Sequence, residues 1–107
     1  MKKPVPTGLK PGTLFTFWPG GVDFWTGTTR HEVVLYPFRG IAPLSDGLYY
    51  FSGTARNPGI AMSLGEPYPW EMYKYVGNSR EKVAWLKILY NEKVYVLNVN
   101  HISCQRL

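Results

Sequence analysis

Short stretches in which apolar and polar residues alternate, each closed by glycine or proline, run along this 107-residue chain. A period of two predicts strands. Leu14-Phe15-Thr16-Phe17-Trp18 alternates and ends at the turn Pro19-Gly20-Gly21. Asp23 to Thr29 is too polar, and too rich in Gly and Thr, to assign. Glu32-Val33-Val34-Leu35-Tyr36 is the next strand, stopped by Pro37 and Gly40. Ser45-Asp46-Gly47 signals a turn ahead of a further strand, Leu48-Tyr49-Tyr50-Phe51.

From Ser52 to Trp70 the pattern is interrupted by Gly53, Pro58, Gly59, Gly65, Pro67 and Pro69. The expectation there is a long irregular connection with one helical turn near Ile60–Leu64. A connection of that length in a small domain is often functional. Glu71 to Val76 alternates weakly and reads as a strand closed by Gly77-Asn78. Arg80 to Tyr90 has two readings. Asn78 with Glu81 fits a capping box, with Val83, Leu86 and Tyr90 on one helical face. Lys82 to Tyr90 also fits a strand that pairs with Val94-Tyr95-Val96-Leu97 across a turn at Asn91-Glu92, and this hairpin is the favoured reading.

Composition narrows the class to a mainly β domain. Aromatic residues are 16% of the chain, with eleven Gly and nine Pro, which suits short strands, tight turns and a small core filled by rings. The length suits one domain, here an extended arm over residues 1–12, where Pro4, Pro6 and Pro11 favour polyproline II, and a single domain over 13–107. No apolar run nears the roughly 20 residues of a membrane helix. Met1-Lys2-Lys3-Pro4-Val5-Pro6 carries charge without an apolar stretch behind it and does not read as a secretory signal. Cys104, the one cysteine, excludes an internal disulfide framework and suits a cytoplasmic protein. The net charge of +5 arises from 12 basic residues against 7 acids. It is spread along the chain, with no dense phosphate-binding stripe.

Two segments resemble SH3-like and KOW-like small barrels. Leu9-Lys10-Pro11-Gly12-Thr13-Leu14 is similar to the opening motif of those folds. Trp85 stands where SH3 domains have a strand-initial Trp, and Val96-Leu97-Asn98-Val99-Asn100-His101-Ile102 follows their last strand and turn, with Asn100 at the Asn position. The resemblance implies a small SH3-like barrel with a long irregular insertion between residues 37 and 80. Asn98 stands where those domains have the groove Pro and His101 where they have the groove Tyr, so the likeness supports the barrel rather than proline-motif binding.

Chemistry is sparse. His31, His101 and Cys104 are too few and too scattered for a zinc site, since strand spacing sends His101 and Cys104 to opposite faces. Ala61-Met62-Ser63-Leu64-Gly65 is similar to a nucleophile elbow, but no Asp follows Ser63 in the required order. Pro19-Gly20-Gly21 and Thr26-Gly27-Thr28-Thr29-Arg30 lack the helix start of a phosphate cradle. No cofactor is expected, and the chain reads as a binding module rather than an enzyme.

The first expectation is therefore a protein-interaction or small inhibitory protein that works through loop aromatics. Tyr68, Trp70, Arg56 and Arg39 are its contact residues, because interface anchors favour Trp, Tyr and Arg. Trp70 would serve equally well as a ring closing the barrel end. The alternative is a nucleic-acid-binding barrel in which Lys74, Arg80, Lys82, Lys87 and Lys93 neutralise phosphates beside Tyr73 and Tyr75.

Overall fold

The computed structural model describes residues 9–22, 26–39, 46–65 and 85–107. These residues form seven strands: β1 (Leu14–Pro19), β2 (Val33–Pro37), β3 (Tyr49–Phe51), β4 (Gly59–Gly65), β5 (Trp85–Tyr90), β6 (Lys93–Asn98) and β7 (Ile102–Arg106). A 3-10 turn, Val99–His101, links β6 to β7. All pairings are antiparallel, in the order β3-β2-β6-β5-β4-β1-β7. The mainly β class is as the alternation predicts. Among the described residues no helix is long and apolar enough to cross a membrane.

Among the described residues the sheet does not close into the barrel that the resemblance implied. β3 and β7 are its two ends. β3 has only three residues, and the chain then leaves it for a turn in which Thr54 and Asn57 exchange backbone hydrogen bonds at 3.2 and 3.0 Å. Strand pairing stops before it could reach the far end.

The second correction concerns residues 52–70, expected to be irregular. β4 runs through Gly59–Gly65 between β1 and β5. Its pattern is inverted relative to an ordinary half-buried strand: Gly59, Ala61, Ser63 and Gly65 are buried, while Ile60 faces solvent. The small residues face inward because rings from neighbouring strands already fill the space. A Cβ on Gly59 would lie 2.7 Å from the Phe17 ring. The helical turn expected near Ile60–Leu64 is absent.

The hairpin reading of the last third holds for Trp85–Tyr90, which pairs with β6 from Trp85↔Asn98 to Tyr90↔Lys93. Asn91 and Glu92 close it with φ of 52° and 66°. Positive φ at both turn residues matches the twist of the flanking strands. The expected strand at Glu71–Val76 lies outside the described residues.

One face of the sheet carries the main core: Phe15, Phe17, Leu35, Phe51, Leu86, Ile88, Tyr95 and Leu97 are buried there, joined by Leu9 from ahead of β1. Phe17 is its centre, with ring centroids 6.0 Å from Phe15, 4.8 Å from Phe51 and 5.6 Å from Tyr90. The opposite face holds a smaller cluster of Phe38, Trp85 and Val96 with Tyr36 packed against it. The Tyr36 and Trp85 rings meet edge to face at 5.3 Å.

Candidate functional site

The end of β2 positions the site. Pro37 pairs with Tyr95 of β6, and the next residue, Phe38, donates its N–H to the Val94 carbonyl at 3.3 Å. Alternation along β2 then sends the Phe38 ring to the face of Trp85 and Val96, where it is buried. Arg39 follows it into solvent. On β6, Lys93 opens the strand opposite Tyr90. Lys87 of β5 pairs with Val96 and sets its ammonium 5.4 Å from the centre of the Phe38 ring. That distance is within the range of a cation–π contact.

The result is a groove of about 570 Å³ lined by Pro37, Phe38, Arg39, Asp46, Gly47, Lys93, Val94 and Tyr95. Its described lining holds two exposed cations, Arg39 and Lys93, and one exposed acid, Asp46, with the buried rings of Phe38 and Tyr95. Lys87 adds a third positive charge on the Phe38 side. A groove with this balance favours a negatively charged group held beside an apolar surface.

Next to it, Tyr49, Tyr90 and Tyr95 form a tyrosine cluster with ring centroids 5.9 to 6.4 Å apart. Burial raises the Tyr90 phenol above its ordinary value of 10.0, and the hydrogen bond and negative charge of Tyr49 and the charge of Tyr95 push the same way. Tyr49 and Tyr50 on β3 are both exposed.

The structure thus joins residues that the sequence reading had assigned to different partners. Arg39, of the protein-contact set, and Lys93, of the nucleic-acid set, line one groove, and Lys87, also of the nucleic-acid set, sits on the Phe38 ring that lines it. Arg56 does not line this groove and is exposed on the turn after β3. Tyr68, Trp70, Tyr73, Lys74, Tyr75, Arg80 and Lys82 lie outside the described residues. Sequence reasoning missed Phe38, Asp46 and Tyr95. The adjacency of Phe38 and Arg39 was the available signal for the first.

Ser63, the centre of the elbow-like segment, is fully buried; its hydroxyl donates to the Leu9 carbonyl at 2.8 Å and accepts from the Gly65 N–H at 3.2 Å. Those bonds fasten the segment ahead of β1 onto β4. Among the described residues no three His, Cys, Asp or Glu side chains converge as metal ligands. His101 sits 3.3 Å from the Asn98 amide through Nε2, and Cys104 packs against the main core.

The sequence matches no family model, and searches of curated proteins and of solved structures returned no match.

Proposed function

We propose that this chain is a non-enzymatic binding module that holds an acidic segment of a protein partner in the groove beside Phe38. The observation that carries the reading is that Arg39 and Lys93 line one groove, with Lys87 on the Phe38 ring of that lining and Asp46 the one acid among the described lining residues. Rings beside cations are the composition of interface anchors. The exposed Tyr49, whose ring lies 6.4 Å from that of Tyr95, extends that surface.

Nucleic acid is the second reading, favoured by one observation: Lys87 and Lys93 approach the same groove next to aromatic rings, as a phosphate-and-base surface requires. Both readings weaken with salt, and the ligand bound together with the steepness of the salt slope separates them. Affinity for a nucleic acid falls as a power of salt concentration set by the number of phosphates neutralised, about 0.7–0.9 per contact.

The test is fluorescence anisotropy with a labelled Glu- and Phe-containing peptide, single-stranded DNA, duplex DNA and RNA, each at two salt concentrations. The wild-type protein is compared with an Arg39→Ser/Lys93→Ser double variant. Peptide binding that the double variant loses, with the melting temperature unchanged, supports the acidic-segment reading. Nucleic-acid binding with a steep salt slope that the variant reduces replaces it with the second. Binding to none of them at low salt overturns both.

A further inference from the structure

Pro19-Gly20-Gly21 and Thr26-Gly27-Thr28-Thr29-Arg30, far too weak as separate phosphate motifs, are brought together by the fold. A bridge pairs Val22 with Thr29, the Arg30 N–H donates to the Gly21 carbonyl at 3.2 Å, and an Arg30 guanidinium nitrogen reaches the Val22 carbonyl at 3.4 Å. The two segments form one wall of a cavity of about 560 Å³, and the loop after β3 forms the wall facing it. This cavity occupies the seam where the sheet fails to close, between the β1–β7 end and the chain leaving β3.

Its chemistry differs from that of the groove beside Phe38. Thr29, Ser52, Thr54 and Ser103 supply hydroxyls, Arg30 and His31 supply N–H donors, Trp18 supplies an aromatic wall, and the described lining residues include no carboxylate. Glu32 belongs to a smaller adjoining cavity of about 350 Å³ that shares Thr29, Arg30, His31 and Ser52. Gly20 lets the wall form: a Cβ there would lie 2.7 Å from the Ser103 backbone nitrogen, so only glycine allows β1 to run this close to β7.

We propose that the seam cavity binds a small phosphate ester carrying a planar ring. The phosphate sits among Arg30, Ser52 and Thr54, and the ring packs against Trp18. A phosphate offers several acceptor oxygens, which matches hydroxyl and guanidinium donors arriving from separate elements. The cavity volume lies within the range of small-ligand sites. None of the described lining residues is an acid, so none of them repels an anion.

The experiment is titration of the isotope-labelled protein with adenosine monophosphate, adenosine and inorganic phosphate, followed by amide and indole NMR shifts. Adenosine monophosphate should produce saturable shifts at Gly21, Thr29, Thr54 and the Trp18 indole. Adenosine should bind more weakly, because it lacks the phosphate, and inorganic phosphate should move Arg30 and its neighbours without moving the indole. Arg30→Gln should abolish the shifts. Because Arg30 also braces the Val22 carbonyl, Ser52→Ala serves as the second variant; it should weaken binding about tenfold through one lost charge-assisted hydrogen bond, with an otherwise unchanged spectrum. Shifts confined to the residues around Arg39 and Lys93, no saturable shifts, or full affinity in Ser52→Ala would overturn the assignment. The positions of the shifts separate this site from the groove beside Phe38, so either site can fail alone.

Discussion

The two faces of the sheet are built by different rules. On the inner face, rings meet rings: Phe15, Phe17, Phe51 and Tyr90 contact one another, and the small residues of β4 leave room for them. On the outer face the buried apolar residues among those described are Phe38, Trp85 and Val96, with Asn98 buried opposite Trp85. Around them Lys87 lies on a ring, and Leu14, Ile60, Leu89 and Val94 are exposed. The register lines up Leu14, Met62, Leu89 and Val94 as one row across four strands. The inner face satisfies itself, whereas the outer face keeps both apolar surface and positive charge in contact with water. Stability should therefore concentrate on the first, and recognition on the second.

The hardest test of that division is Phe17→Ala. Phe17 is fully buried and central to the inner rings, so its loss should cost about 3–5 kcal/mol, as for other buried phenylalanines. Chemical denaturation measures this. A loss below about 1 kcal/mol, the scale of a typical substitution, would mean that the inner face is not the source of stability.

Trp85→Ala probes the outer face. Trp85 is buried in the smaller cluster with Phe38, Val96 and Tyr36, so the expected cost is about 3 kcal/mol, the lower end for a buried aromatic. Loss of the ring should also release Phe38 and weaken whatever the Arg39–Lys93 groove binds. Full stability after this substitution would mean that the outer cluster is dispensable. Full stability with unchanged binding would also separate the groove from the cluster beneath it.

How far the sequence revealed this arrangement differs from strand to strand. β1 and the β5–β6 hairpin were legible because large apolar residues mark the buried side and a turn pair marks the end. β4 was not, because its buried side is Gly59, Ala61, Ser63 and Gly65, and its large residues, Ile60 and Met62, point outward. A strand that completes its core with other strands' rings carries no size signal of its own. The cations of the groove were visible individually. Their meeting was not, because it depends on Pro37 pairing with Tyr95, a contact between distant parts of the chain that local pattern does not encode.

The smallest expected effect lies at the open end of the inner face, where the packed rings give way to solvent at Tyr49, Tyr90 and Tyr95. Burial, first, and Tyr49 and Tyr95 after it, raise the Tyr90 phenol above 10.0. The native state then keeps a proton that the unfolded chain releases, and between the two pKa values the native state binds more protons, so stability falls as pH rises. The contribution is intact below pH 10.0 and is lost as pH climbs through the raised native value. Tyr90→Phe has no proton to release, and its stability should decline less over the same interval. Urea denaturation of both proteins at pH about 8 and about 11 reads the difference, and tyrosinate absorbance follows the late titration directly. An alkaline decline of equal size in the variant would show that Tyr90 is not its source, and that the open end of the inner face leaves this phenol in contact with water.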